Sequence, residues 1–210
     1  MIITLKLIVL FVLAYLLGSI PSAYIAGRLK KGVDIRKAGT GNVGATNALI
    51  VAGPAIGALV YIFDVLKGVV PVLVAREVVG TDLSMGLAGL AAILGHDYSI
   101  FLKFSGGKGI ATTTGVLFAI NAQLMLWIFV GWCVFTGLTN YFVAASLLST
   151  ALVPITMYMW DFSQTYIIFG IVYFLIALYT HRQDTVRIIW GREKKARDSI
   201  KKFFKKEKLV

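Results

Sequence analysis

Residues 2–26 read IITLKLIVLFVLAYLLGSIPSAYIA, with Lys6 as the single charge in the run. An α-helix needs roughly 20 apolar residues to cross a hydrocarbon core about 30 Å thick. The stretch is therefore read as a membrane span. It is too long for the apolar core of a cleaved leader, and no small-residue cleavage site ends it cleanly. Arg28, Lys30 and Lys31 stop it.

Working outward, the same pattern returns along the chain. Apolar runs occupy residues 48–75, 83–94, 109–120, 124–138, 141–159 and 165–180, the third and fourth of the seven being short. Hydrophobic residues make up 58% of the 210-residue chain, above the 45–50% usual for soluble domains. The fold class expected is an all-α integral membrane protein of about seven transmembrane helices. Residues 1–180 form the polytopic domain, with polar loops at 28–47 and 96–108, and residues 181–210 form a basic amphipathic tail. No repeat of fixed period is visible, which argues against a transporter built from inverted halves.

Charge then orients the chain. Eighteen of the 21 lysines and arginines fall in the loops 28–47 and 96–108 and in the tail, while Lys6, Lys67 and Arg76 lie elsewhere. By the positive-inside rule the N-terminus is expected outside and the C-terminus in the cytoplasm. The formal net charge of +11 does not point to nucleic acid, because eleven of these cations follow Tyr179 and face anionic lipid instead. In that tail Val186, Ile188, Ile189, Trp190, Ile200, Phe203 and Phe204 alternate with cations, as in a helix lying on a membrane surface. The single cysteine, Cys133, excludes an internal disulfide and is read as packing.

The two loops on the basic side carry the chemistry. The first contains Gly39-Thr40-Gly41-Asn42-Val43-Gly44-Ala45-Thr46-Asn47 before an apolar helix. Glycines let the backbone turn and present its N–H groups to an anion, and Thr46 or Asn47 is placed to cap the next helix. The second ends in Gly106-Gly107-Lys108-Gly109, followed by Ala111-Thr112-Thr113. Backbone amides there would surround phosphate oxygens and Lys108 would neutralise them, although the spacing is not that of a P-loop. Asp64 and Lys67 stand one helical turn apart in the second run, as a structural ion pair or as site-lining groups. His181 and Asp184 are also one turn apart, where the tail begins. The spacing Gly53-Pro54-Ala55-Ile56-Gly57 reads as a close helix contact.

These motifs together resemble the bacterial acyl-phosphate:glycerol-3-phosphate acyltransferases of the PlsY type. The resemblance runs through Gly18-Ser19-Ile20-Pro21-Ser22, Gly32-Val33-Asp34-Ile35-Arg36, Gly41-Asn42-Val43-Gly44-Ala45-Thr46-Asn47, Asp64-Val65-Leu66-Lys67-Gly68, Gly95-His96 and Phe104-Ser105-Gly106-Gly107-Lys108-Gly109. It ends at His181-Arg182 and Gly191-Arg192-Glu193. It implies a bacterial plasma membrane protein with a cytoplasmic active face. The implied reaction moves a fatty acyl group from acyl phosphate to the 1-hydroxyl of glycerol 3-phosphate, giving lysophosphatidic acid for phospholipid synthesis.

Carried onto this sequence, the resemblance implies Lys108, His181, Asn42 and Thr40 as catalytic residues. It implies phosphate contacts from Gly41, Gly44, Asn47, Gly106, Gly107, Gly109, Thr112, Lys67, His96 and Asp184. Acyl phosphate, glycerol 3-phosphate and membrane lipids are the expected partners, together with the enzyme that makes acyl phosphate. No cofactor, metal or nucleic acid is expected. Four positions depart from the family pattern: Thr40 stands for serine, Ile50 for an arginine, Val143 for a serine and Asp184 for an asparagine. The alternative they leave open is a paralogue with an altered acceptor or no catalysis that binds lipid phosphates.

Overall fold

The computed structural model describes residues 2–198 and is helical, its described residues dividing into two compact units between Met125 and Leu126. The first unit contains α1 (Ile2–Gly18), α2 (Ser22–Lys31), α3 (Ala45–Ala52), α4 (Pro54–Val78), α5 (Asp82–Asp97) and α6 (Ile110–Ile120). The boundary between units falls in the first turn of α7 (Ala122–Thr139). The second unit continues with α8 (Phe142–Met159), α9 (Gln164–Thr180) and α10 (Arg182–Ile189).

Five helical stretches among the described residues are long and apolar enough to cross a membrane: Ile2–Lys31, Pro54–Val78, Asp82–Leu102, Ala122–Thr139 and Phe142–Met159. A sixth arises if α9 and α10, bent by 59° at their junction, count as one span. The hydropathy pattern had suggested seven. The shortfall is α6, whose 11 residues are too few for a crossing of ordinary length.

Glycine sets the packing of the first unit. A methyl group on Gly18 would strike the backbone of Ala92, and one on Gly95 would strike the carbonyl of Tyr15, so α1 and α5 touch main chain to main chain. Gly68 and Gly115 do the same for α4 and α6, against the carbonyls of Thr112 and Val65. Helices in lipid gain little from apolar burial against each other, so close approach through small residues replaces it. The Gly53–Gly57 motif fits this pattern, because Gly57 lies against the backbone of Leu49.

Three boundaries differ from the sequence reading, each for a local reason. The run 48–75 is two helices, because Gly53 takes φ 94° and Pro54, lacking an N–H, starts α4 as its first residue. Residues 28–31 are the last turn of α2 and residues 45–47 the first turn of α3, so the first loop is 32–44. His96 and Asp97, read as loop, are the last turn of α5.

In the second unit Trp132 stacks between Phe129 and Phe142, with ring centroids at 6.2 and 5.7 Å, and donates to Ser146 Oγ at 3.1 Å. Cys133, expected to pack, is exposed. After α10 the chain returns to the α7–α8 turn, where Asn140 accepts from Ala196 N at 2.8 Å through its carbonyl and from Arg197 N at 3.0 Å through Oδ1. The tail is therefore a short helix and a docked strap up to residue 198. The apolar positions Ile200, Phe203 and Phe204 lie outside the described residues.

Candidate active site: two glycine loops in the first unit

The first loop is built around one amide. Asn47, expected as a cap or a phosphate ligand, sits inside the first turn of α3 and is wholly buried. Its Nδ2 donates to the carbonyls of Ile35 at 2.9 Å, Ala38 at 3.1 Å and Asn42 at 2.9 Å. Its Oδ1 accepts from Thr40 N at 2.7 Å. The side chain thus replaces the hydrogen bonds that a loop of this length cannot make with itself. Gly39 adopts φ 62° and leaves the space that Asn47 Oδ1 fills; a Cβ there would strike it. The cap of α3 is Gly44, not Thr46 or Asn47.

Below the loop, Ile35 and Val43 pack into a buried cluster with Ala23, Ala48, Val60 and Leu102. Burying such a side chain stabilises by about 1.5–3 kcal/mol, and Leu102 ties the cluster to the approach of the second loop. At the loop's entry Arg36 clasps Asp34 through two bonds of 3.0 and 2.7 Å and stacks over the Tyr24 ring at 5.3 Å. The Arg36 hydrogen bond holds the Asp34 carboxyl down at about 2, with a backbone bond from Arg36 and the charges of Arg36 and Arg28 assisting against desolvation.

The second loop lies on the end of α5. Gly107 N donates to the His96 carbonyl at 2.9 Å. Gly106 has the carbonyls of His96 and Asp97 where a Cβ would stand. Gly107 is wedged between His96 Nε2 on one side and the Val43 carbonyl, 2.6 Å from a would-be Cβ, on the other. Val43 belongs to the first loop, so the two glycine runs meet at Gly107. Gly109, at φ 71°, abuts the Asp97 carboxylate and opens α6.

The contact of Val43 with Gly107 sets the loop carrying Thr40, Gly41, Asn42 and Gly44 against the loop carrying Gly106, Gly107, Lys108 and Gly109. Lys67 and His96 are not on the loop surface but beneath it. Lys67 is 7% exposed and its ammonium is engaged by Asp64 Oδ1 at 2.9 Å and the Ile20 carbonyl at 3.2 Å. Thr112 is buried on α6, its carbonyl against Gly68 of α4. Asp64, which the sequence offered as an ion-pair partner of Lys67, carries this polar interior together with Ser22 and Asp97, which were not expected. The one signal for Asp64 was its spacing from Lys67.

His181 and Asp184 belong to the second unit. His181 joins α9 to α10, and its Nδ1 lies 2.9 Å from the Ala177 carbonyl. A carbonyl only accepts, so Nδ1 carries a proton and donates it there. Asp184 is buried and bonded to Arg187, which also takes Glu193 at 2.7 Å.

Comparison with known proteins supplies the frame for this arrangement. A family model described as glycerol-3-phosphate acyltransferase matches residues 8–191. The glycerol-3-phosphate acyltransferase 2 of Moorella thermoacetica is 40% identical over 184 residues, 88% of this chain and 94% of its own. The glycerol-3-phosphate acyltransferase of Aquifex aeolicus is 38% identical over 189 residues, 90% and 98% of the two chains. The crystal structure of PlsY (YgiH), an integral membrane glycerol 3-phosphate acyltransferase, superposes in its glycerol 3-phosphate form with a TM-score of 0.86 and 37% identity, covering 90% of this chain and 95% of that one. Its lysophosphatidic acid form gives the same TM-score at 35% identity, covering 93% and 98%. With the match extending over nearly the whole length of both partners, the chain belongs to the glycerol-3-phosphate acyltransferase family of integral membrane proteins.

Proposed function

We propose that this protein transfers a fatty acyl group from acyl phosphate to the 1-hydroxyl of glycerol 3-phosphate, releasing phosphate and lysophosphatidic acid. The observation that carries the reading is the meeting of the two glycine runs at Val43 and Gly107, beside Lys108. Both substrates present a phosphate, and paired loops of exposed amides suit two anions.

The chemistry asks little of the protein beyond placement. The hydroxyl oxygen attacks the acyl carbonyl carbon, the bond from that carbon to the phosphate oxygen breaks, and the phosphate leaves with the electron pair. The hydroxyl proton ends on the departing phosphate. Acyl phosphate is already an activated anhydride, so orientation and charge neutralisation supply the rate. In this reading Lys108 neutralises the leaving group. The amides of Gly44, Gly106 and Gly109 cradle the anions, while Gly41 and Gly107, whose N–H groups are bonded to the Ala38 and His96 carbonyls, shape the two loops, with Thr40 and Asn42 at the rim. Asn47 acts through the loop that it holds. His181 is the side-chain alternative for moving the proton.

Counting α6 and α9 as crossings gives seven spans with the N-terminus outside. The lysine-rich loops and residues 181–210 then face the cytoplasm, where an acyl-phosphate-forming enzyme would deliver the donor. Val186, Ile189 and Trp190 are exposed on or just after α10, suiting a helix at the lipid surface. The test is purified protein with acyl phosphate and glycerol 3-phosphate, read by lysophosphatidic acid formation. Product dependent on both substrates is expected, and no product from active-folded protein would overturn the reading.

A further inference from the structure

Beneath the second loop runs a line of buried polar side chains that the transfer step does not use. Pro21 stands at the break between α1 and α2, where the Ile20 carbonyl accepts from Ser22 N at 3.0 Å and from Lys67 Nζ at 3.2 Å. Lys67 also holds Asp64 Oδ1 at 2.9 Å, and Ser22 Oγ donates to the same oxygen at 2.6 Å. On the far side of Asp64 stands His96, with Nδ1 at 3.7 Å from Oδ1. The opposite ring nitrogen, Nε2, occupies the place that a Cβ on Gly107 would take. Asp64, Lys67 and His96 are almost wholly buried; hydrogen bonds join α2 to α4, and His96 of α5 stands in charge contact with Asp64, too far for a hydrogen bond, while its other ring nitrogen meets the loop.

Packing alone does not call for these charges. The α1–α5 and α4–α6 contacts in the same unit are made by glycine, and ionisable groups within spans are costly. What the line ends on is the loop that bears Lys108. Ring and carbonyl of His96 contact Gly107 from one side while the Val43 carbonyl contacts it from the other.

We propose that His96 is a positioning residue, braced by Asp64 and Lys67, that sets the height of Gly107 and so aims Lys108 and its neighbouring amides at a substrate phosphate. The kinetic part of this proposal rests on the acyl-transfer reading; the structural part does not. The side chain acts through the loop and touches no substrate.

The test compares His96→Ala, His96→Gln and the double variant Asp64→Asn with Lys67→Met in detergent-purified protein. Hydrogen exchange over residues 104–109 reads the loop directly. His96→Ala is expected to speed exchange there about tenfold while α4 and α5 keep parental protection. In acyl transfer, kcat should fall about thirtyfold with KM for either substrate within about twofold, since a misaimed charge is felt in the transition state. His96→Gln puts an amide nitrogen near the Nε2 position and should restore kcat to within about threefold. The double variant should fall between the two. Parental loop exchange in His96→Ala would overturn the proposal, as would a glutamine variant no better than alanine. A parent protein that transfers no acyl group would sink the functional reading instead, and the exchange result would still decide the brace.

Discussion

The two glycine loops of the first unit stand side by side and are held by opposite means. The first, residues 32–44, is clasped by side chains: Asn47 takes three carbonyls and one N–H, and Arg36 takes Asp34. The second, residues 104–109, rests on main chain, against the carbonyls that end α5 and the ring of His96. The difference predicts how each fails. The first loop breaks when atoms are removed from its clasp. The second breaks when atoms are added, because Gly106 and Gly107 leave no room for a Cβ. Function divides them too, since the glycine run 106–109 contains a cation and the run 39–44 does not.

Removing that cation is the largest expected effect. Lys108→Ala should lower turnover by about 10²- to 10³-fold, as loss of a charge ligand in the transition state does. Steady-state kinetics on the folded variant check it, and near-parental turnover would show that the second loop acts by its amides alone.

Gly107→Ala comes next. Its methyl would meet His96 Nε2 and the Val43 carbonyl together, so the loops must part. Displacement of a reacting geometry by about 1 Å costs on the order of 10²-fold, and that loss is expected here. Gly32→Ala is the contrast: Gly32, unlike Gly107, has positive φ, and open space surrounds its Cβ position, so its cost is in backbone strain and not in loop contact. Equal losses of transfer in the two variants would break the contrast.

How much of this was legible in the sequence follows from the physics of each feature. The spans were legible because lipid demands long apolar runs, and the glycine loops because few other settings tolerate such composition. The break at Gly53-Pro54 was hidden inside an unbroken apolar run. The continuation of α5 through His96 and Asp97 was hidden by their polarity, which suggested loop. Asn47 was placed correctly at a helix start, but its clasp depends on residues 35–42 folding back over it, a non-local contact with no spacing signal. Lys67 and His96 were expected as phosphate contacts through the family resemblance; both are buried beneath the second loop, Lys67 against Asp64 and the Ile20 carbonyl. Lys6 and Arg76, exceptions to the charge asymmetry, bond to the carbonyls of Val78 and Ala119, near the C-terminal ends of α4 and α6, where the helix dipole favours a cation.

Asn47→Ala sharpens the comparison from the other side. Each buried polar group left without a partner costs about 1–3 kcal/mol, and the clasp satisfies one donor and three acceptors. A loss of stability of a few kcal/mol by that scale, about one to two groups' worth after water enters the loop, is expected in detergent unfolding. Turnover should fall about tenfold through the displaced loop. Asn47→Asp should be worse than alanine, because a carboxylate accepts from Thr40 N but repels the carbonyls of Ile35, Ala38 and Asn42. An aspartate variant as stable as the parent would show that the amide donors of Asn47 do not hold the loop.

The smallest effect belongs to Asp34, and its pH dependence carries the information. Its carboxyl is held at about 2, below the ordinary 3.8, chiefly by the Arg36 hydrogen bond. The ionised form is the bound form, so the contribution is fully present above 3.8 and is lost only as pH falls through about 2. Asp34→Asn releases Arg36 from its partner while leaving it over the Tyr24 ring. Because the pair is close to solvent, the change in transfer rate should be about twofold or less. It should also be the same at every pH from about 5 to 8, since the parent carboxylate is ionised throughout. The measurement is the ratio of parent to variant kcat/KM across that range. A ratio that varies between pH 5 and 8 would mean that another titrating group near the first loop responds to Asp34, and the clasp would then be electrically coupled to the site instead of being a local brace of its entry.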